Sequence, residues 1–139
     1  MTLLKRVLAF QVWLYRRTQG RRAGSMRGTP VLLLTTTGRH SGERRTRPVG
    51  YLPDGDRYLV CGSNGGSHHS PAWALNLRHQ PAAVVEIGAQ TFSVTTIEVT
   101  GAEYEIRWQQ YVAAYPAFAK YHEKTTRHLP IFILTHTGT

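Results

Sequence analysis

Between Val31 and Gly62 the chain reads as three consecutive strands. Val31-Leu32-Leu33-Leu34-Thr35-Thr36-Thr37 is apolar or β-branched throughout, which suits a strand. A loop bracketed by Gly38 and Gly42 follows, then strand-like runs over 44–52 and 56–62 separated by the hairpin signal Asp54-Gly55. These three runs therefore pair antiparallel. Further strands are predicted at 82–87 and 90–99, joined at Gly88-Ala89, and at Ile131-Phe132-Ile133-Leu134. The total is about six short strands, mostly joined by hairpins. This pattern favours an antiparallel barrel or α+β sheet over a parallel doubly wound fold.

The helices fall at the front, middle and back. Residues 2–17 place Leu3, Leu4, Val7, Leu8, Phe10, Val12, Leu14 and Tyr15 on one broad arc at helical spacing, with Lys5, Arg6, Arg16 and Arg17 at its edges. Two roles suit such a helix: covering the core, or lying on an anionic membrane surface. Its uncharged stretch is too short to span a bilayer and has no cleavage site of the signal-peptide kind, so a cytoplasmic location is expected. Residues 18–30 read as loop. Ser70-Pro71 reads as the N-cap and first position of a short middle helix carrying Trp73, Leu75, Asn76 and Leu77. Thr100-Gly101-Ala102-Glu103 has capping-box spacing and opens a helix with Trp108, Tyr111, Val112 and Tyr115 on one face. Pro116 breaks it and starts another stretch with Phe118, Tyr121 and His122. With no repeats and no linker, residues 1–139 form one domain, the first 17 an amphipathic helix and 31–135 the barrel and its helices.

The formal net charge is +9, which calls for an anionic partner: nucleic acid, a membrane surface or a polyanionic small molecule. The single cysteine, Cys61, excludes an internal disulfide and a cysteine zinc cluster, and reads as a small buried hydrophobe. The seven histidines show no metal-ligand spacing, and no metal is expected. Only eight carboxylates are present, mostly in turns and helices, which argues against two-carboxylate hydrolysis. No dinucleotide fingerprint, Walker sequence or nucleophile elbow occurs. The aromatics lie on helix faces, not on a strand platform for bases, so nucleic acid is not the expected partner. Gly38-Arg39-His40-Ser41-Gly42 with Arg44, Arg45 and Arg47 reads either as a glycine-bracketed basic loop suited to phosphate or carboxylate or as a solvated basic hairpin.

The order of motifs resembles the deazaflavin-dependent nitroreductase and quinone reductase family. The motifs are Leu-Leu-Thr-Thr-Thr-Gly-Arg-His-Ser-Gly, Arg45-Thr46-Arg47-Pro48, Ser63-Asn64-Gly65-Gly66, Pro71-Ala72-Trp73-Ala74-Leu75-Asn76-Leu77, and a tail of Tyr115-Pro116-Ala117-Phe118, Thr126-Arg127 and Leu129-Pro130-Ile131. The likeness runs from about Val12 to Leu134. It implies a flavin-reductase-like split β-barrel and the deazaflavin coenzyme F(420), whose phosphodiester and oligoglutamate tail make it a polyanion. By the family pattern Arg39, His40, Ser41 and Arg45 would hold phosphate and tail. Pro48, Ser63, Asn64, Gly65 and Gly66 would edge the deazaflavin ring, with Trp73 and Asn76 on the helix beside it. Tyr115, Phe118 and Tyr121 would roof the substrate pocket.

Three positions depart from the pattern. His40 stands where Lys is common, Asn64 where Lys or another residue is often found, and Phe118 where some nitro-reducing members have Tyr. The resemblance implies hydride transfer from the reduced deazaflavin to a quinone or nitroaromatic acceptor, with Ser63, Tyr115 and Tyr121 as candidate donors to the developing charge. Two alternatives stand beside it: a non-enzymatic basic module, and a barrel using flavin mononucleotide or haem. The sequence leaves the oligomeric state open.

Overall fold

The computed structural model describes residues 3–26, 28–63, 69–124 and 127–137. Its elements are α1 (Leu3–Thr18), β1 (Ser25–Met26), β2 (Thr29–Thr37), β3 (Arg44–Asp54), β4 (Arg57–Cys61), α2 (Ala72–His79), β5 (Ala82–Ile87), β6 (Gln90–Glu98), α3 (Gly101–Ala114), α4 (Ala117–Lys124) and β7 (Ile131–His136). The strands run in the order β2-β3-β4-β7-β6-β5, and β5 returns to β2, so the sheet closes. Every pairing is antiparallel. The short β1 adds to the start of β2, within the stretch read from sequence as loop.

β2 explains why its apolar run is continuous. Leu32 and Leu34 point into the barrel, onto Val49, Val60, Val85 and Phe132. Val31 and Leu33 point out, onto Tyr15 and Val12 of α1. A strand buried on both faces needs no polar alternation. A second core lies outside the wall, where Leu59, Cys61, Ile131 and Ile133 meet Tyr111 and Phe118 of α3 and α4.

β3 changes partner part-way along. Residues 44–50 pair with β2, and only Tyr51–Asp54 pair with β4. The first half of β3 thus has a ladder on one side only. That split in the barrel accommodates Pro48, which lacks an N–H for a second ladder.

Several local expectations are corrected. Pro71, not Ser70, is the N-cap of α2, and no side chain caps it. The Ser70 hydroxyl instead accepts from Arg127 Nη1 at 3.1 Å. Thr100 is the N-cap of α3, but its side chain makes no capping bond; Glu103 faces Arg107 at 3.5 Å. In α1 only Tyr15 is buried, and Leu3, Phe10 and Trp13 are 78%, 58% and 56% exposed. A single helix laid on a barrel wall hides only one narrow strip, and the broad apolar arc exceeds it.

Candidate functional site

The end of β2, the first half of β3 and α2 meet where the barrel is split. Along β3, Arg45, Arg47 and Val49 share one face by the period of two. Val49 lies in the barrel core, so the arginines continue its row to the mouth. α2 plugs that mouth, burying Trp73, Ala74, Asn76 and Leu77. α1 crosses outside and brings Lys5, Ala9 and Val12 alongside.

A cavity of about 540 Å³ lies between them, lined by Lys5, Ala9, Val12, Gly38, Arg39, His40, Ser41, Arg45, Thr46, Arg47, Ala72 and Asn76. None of these residues is acidic, and four carry a permanent positive charge. The nearby carboxylate of Glu43 pairs with Arg45 at 3.2 Å, an exposed contact that an anionic ligand can displace.

The basic loop is held more tightly than a surface hairpin. Gly38 N–H donates to the Glu43 carbonyl at 2.7 Å, and Gly42 N–H to the Gly38 carbonyl at 2.8 Å. Glu43 N–H donates to Ser41 Oγ at 3.1 Å. A Cβ at Gly38 would stand 2.8 Å from that Oγ, and Gly42 has φ +73°. A side chain at Gly38 would therefore displace the Ser41 hydroxyl, and the left-handed backbone at Gly42 favours glycine. The flanking glycine amides close the loop on itself; they are not its ligand donors.

Asn76 is the pin. Its Oδ1 accepts from Arg39 N–H and from Arg39 Nη1, each at 3.1 Å. Its Nδ2 donates to Thr36 Oγ1 at 3.0 Å. Arg39 can only donate, which settles which end of the amide faces it. Asn76 is 3% exposed and Thr36 is 1% exposed. One buried side chain thus fixes the guanidinium against the barrel end and sets its direction.

The other residues marked from sequence divide into two groups. Arg39, His40, Ser41, Arg45 and Asn76 come together in the cavity. Pro48 lies further along β3, opposite Leu33. Trp73 is a core residue, edge-on to Phe132 at 6.0 Å between ring centroids. Asn64, Gly65 and Gly66 lie outside the described residues. Ser63 is 8% exposed, and its carbonyl accepts from Arg127 Nη2 at 2.8 Å.

Tyr115, the C-cap of α3, forms a separate aromatic group with Phe118 and Tyr121 of α4. Phe118 packs against the rings of Tyr111 at 4.9 Å and Tyr121 at 5.1 Å. The Tyr115 hydroxyl donates to the Tyr51 carbonyl at 2.9 Å, and burial raises its pKa, so it is a protonated donor at neutral pH. Burial pushes the Cys61 thiol up to about 12, which makes it an inert core group.

Reading the sequence by itself marked Arg47 as part of the basic loop but missed Lys5, Ala9, Val12, Thr46 and Thr36. Lys5, Ala9 and Val12 do fall on one helical strip, and the small Ala9 within it was the available signal.

The model of the F(420)H(2)-dependent quinone reductase family matches residues 7–136. The chain belongs to that family. It is 35% identical over 127 residues to the F(420)H(2)-dependent quinone reductase Rv1261c of Mycobacterium tuberculosis, covering 88% of this chain and 85% of that protein. A solved structure of an F(420)-H(2) dependent reductase, FDR-A, matches with TM-score 0.68 and 36% identity over 76% of this chain and 93% of that one. A second solved chain, described as a domain-swapped dimer, matches with TM-score 0.69 and 32% identity over 88% and 97%. The fold is therefore a flavin-reductase-like split barrel, the protein is an F(420)-dependent oxidoreductase, and its cofactor is coenzyme F(420). No helix among the described residues is long and apolar enough to cross a membrane.

Proposed function

We propose that the cavity at the split holds the anionic part of coenzyme F(420), and that the protein directs its reducing power to a quinone. The observation that carries this reading is the wall of Lys5, Arg39, Arg45 and Arg47, with no acidic residue in the lining and Arg39 pinned by Asn76. Phosphodiester and carboxylate oxygens suit this donor set, because guanidinium groups bond such oxygens in pairs. Ser41 and His40 add a hydroxyl and an imidazole at the rim. With its anionic part held there, the reduced deazaflavin would supply a hydride.

The protein's own work is to orient and to stabilise charge. Pro48 and Ser63 would edge the ring, together with Asn64, Gly65 and Gly66. Trp73 supports that end of the barrel from the core. A reduced quinone oxygen gains negative charge and needs a donor. Ser63, Tyr115 and Tyr121 are assigned that role. For Tyr115 this means trading the Tyr51 carbonyl for the acceptor oxygen. Phe118 contributes a ring and no hydroxyl, which favours a quinone over a nitroaromatic acceptor.

The test is a fluorescence titration of the protein with oxidised and reduced coenzyme, followed by coenzyme oxidation with menadione. Micromolar or tighter binding and oxidation are expected. Absence of binding at micromolar coenzyme would sink the reading. Arg39→Ala and Arg45→Ala should each weaken binding about tenfold, a loss of about 1.4 kcal/mol. Equal affinities would move the anion site elsewhere.

A second reading concerns α1. Its outer strip of Leu3, Val7, Phe10 and Trp13 is exposed and flanked by Arg6 and Arg17. That face suits an anionic bilayer, the phase in which lipophilic quinones reside. Co-sedimentation with anionic vesicles should fall with salt and with Phe10→Glu. Binding indifferent to both would exclude this face.

A further inference from the structure

Arg127 lies in the short segment between α4 and β7, away from the cationic cavity, and it is half-buried. Its guanidinium is directed at neutral acceptors on both sides of the second glycine-rich stretch. Nη1 donates to the Gly62 carbonyl at 3.1 Å, to Ser70 Oγ at 3.1 Å and to the His128 carbonyl at 3.2 Å. Nη2 donates to the Ser63 carbonyl at 2.8 Å. One rigid planar group therefore ties residues 62 and 63 to residue 70.

A guanidinium suits this task, because Nη1 and Nη2 donate along separate directions fixed by one planar group. The bond from Nη2 fixes the Ser63 carbonyl. Gly62 is tightly placed as well: a Cβ there would meet Pro130 Cγ at 2.9 Å and Ala74 Cβ at 3.3 Å. Its N–H donates to the Pro130 carbonyl at 2.7 Å. Ser63 is thus held from both sides, by the barrel end and by Arg127.

We propose that Arg127 is a positioning residue for hydride transfer, holding Ser63 through its carbonyl at the reacting end of the site without gripping the coenzyme tail. This rests on the reading that Ser63 edges the deazaflavin ring. It separates two functions in space. Arg39, Arg45 and Arg47 hold the anionic tail at one place, and Arg127 sets the geometry of the reacting end at another. Geometry there matters steeply, since a misplacement of about 1 Å costs on the order of a hundredfold in rate.

The test compares wild type with Arg127→Ala and Arg127→Lys. It measures coenzyme affinity by fluorescence, single-turnover oxidation of bound reduced coenzyme by menadione, and melting temperature. Both variants should bind coenzyme within about threefold of wild type and transfer hydride at least about tenfold more slowly. Guanidinium chloride at about 50 mM, far below denaturing levels, should restore part of the rate in Arg127→Ala and leave Arg127→Lys unchanged. Wild-type turnover in both variants would overturn the proposal. So would a parallel fall of affinity, rate and melting temperature without rescue. If Arg127→Ala does not fold, Arg127→Lys decides alone by the split between affinity and rate. Failure of the wild type to bind coenzyme would instead refute the site reading, and this proposal with it.

Discussion

Asn76 allows stability and anion binding to be separated with two substitutions at one position. Asn76→Ala removes the acceptor for Arg39 N–H and Nη1 and the donor to Thr36 Oγ1. Thr36 is 1% exposed, so its hydroxyl cannot turn to water. Each buried polar group left without its partner costs about 1–3 kcal/mol. With Arg39 partly able to reach solvent, a loss of about 2–4 kcal/mol follows. For a chain of this size that lowers the melting temperature by roughly 6–12 °C. Asn76→Asp behaves differently. A carboxylate keeps both acceptances from Arg39, and the Thr36 hydroxyl can rotate to donate to its second oxygen. Stability should change by about 1 kcal/mol or less, because the buried charge meets a guanidinium already in place. Coenzyme affinity should nonetheless fall about 5–30-fold, since Arg39 is now neutralised from behind and the cavity gains a negative charge. Thermal melts and a fluorescence titration read both quantities. If Asn76→Asp binds coenzyme as wild type does, Arg39 does not face the anion and the cavity is misassigned.

The remaining predictions concern the helix anchor, the core thiol and the rim. Tyr15→Phe loses the bond to the Glu86 carbonyl and the acceptance from Gly88 N–H, and should cost about 1–2 kcal/mol in urea denaturation. Cys61 should resist alkylation at pH 8 in the native state. Its folded pKa, about 12, lies above the ordinary value of 9.0, so the unfolded thiol ionises first. Its contribution to stability is complete below pH 9 and is lost as pH rises from about 9 to 12; Cys61→Ala should flatten that part of the pH–stability curve. Lys5→Glu reverses one rim charge and should weaken coenzyme binding by roughly threefold at low salt and less at 0.5 M.

Much of the barrel was legible because its signals are local. The loop after β2 and the hairpin after β3 indicated antiparallel pairing before any tertiary consideration. The Asp54-Gly55 turn and the Gly88-Ala89 turn set the hairpins within a residue or two. What escaped was tertiary. Ser70 has the chemistry of a cap, yet its hydroxyl is held by a guanidinium that arrives from 57 residues away. The same distance logic hid the role of Asn76. From sequence it was a polar residue on a helix near a cofactor; in the fold it is bonded to partners 37 and 40 residues distant and acts through Arg39.

The deeper reason the site forms where it does lies in β3. A strand paired on both sides along its whole length would carry Arg45 and Arg47 into a crowded, closed ladder, where unpaired charge is costly. β3 pairs with β2 through residue 50 and with β4 only from Tyr51. One length of strand thus supplies a solvated row of cations and, a few residues on, the inward-facing Val49 and Tyr51 of the core. The cations therefore stand on a rigid element and not on a loop, and Asn76 extends that rigidity to Arg39. Grip on an anion improves when donors are placed before it arrives, because less side-chain freedom is lost on binding. A split at this point in the barrel gives the proposed tail site its order, and it leaves the proposed reacting end, held by Arg127, to be tuned independently.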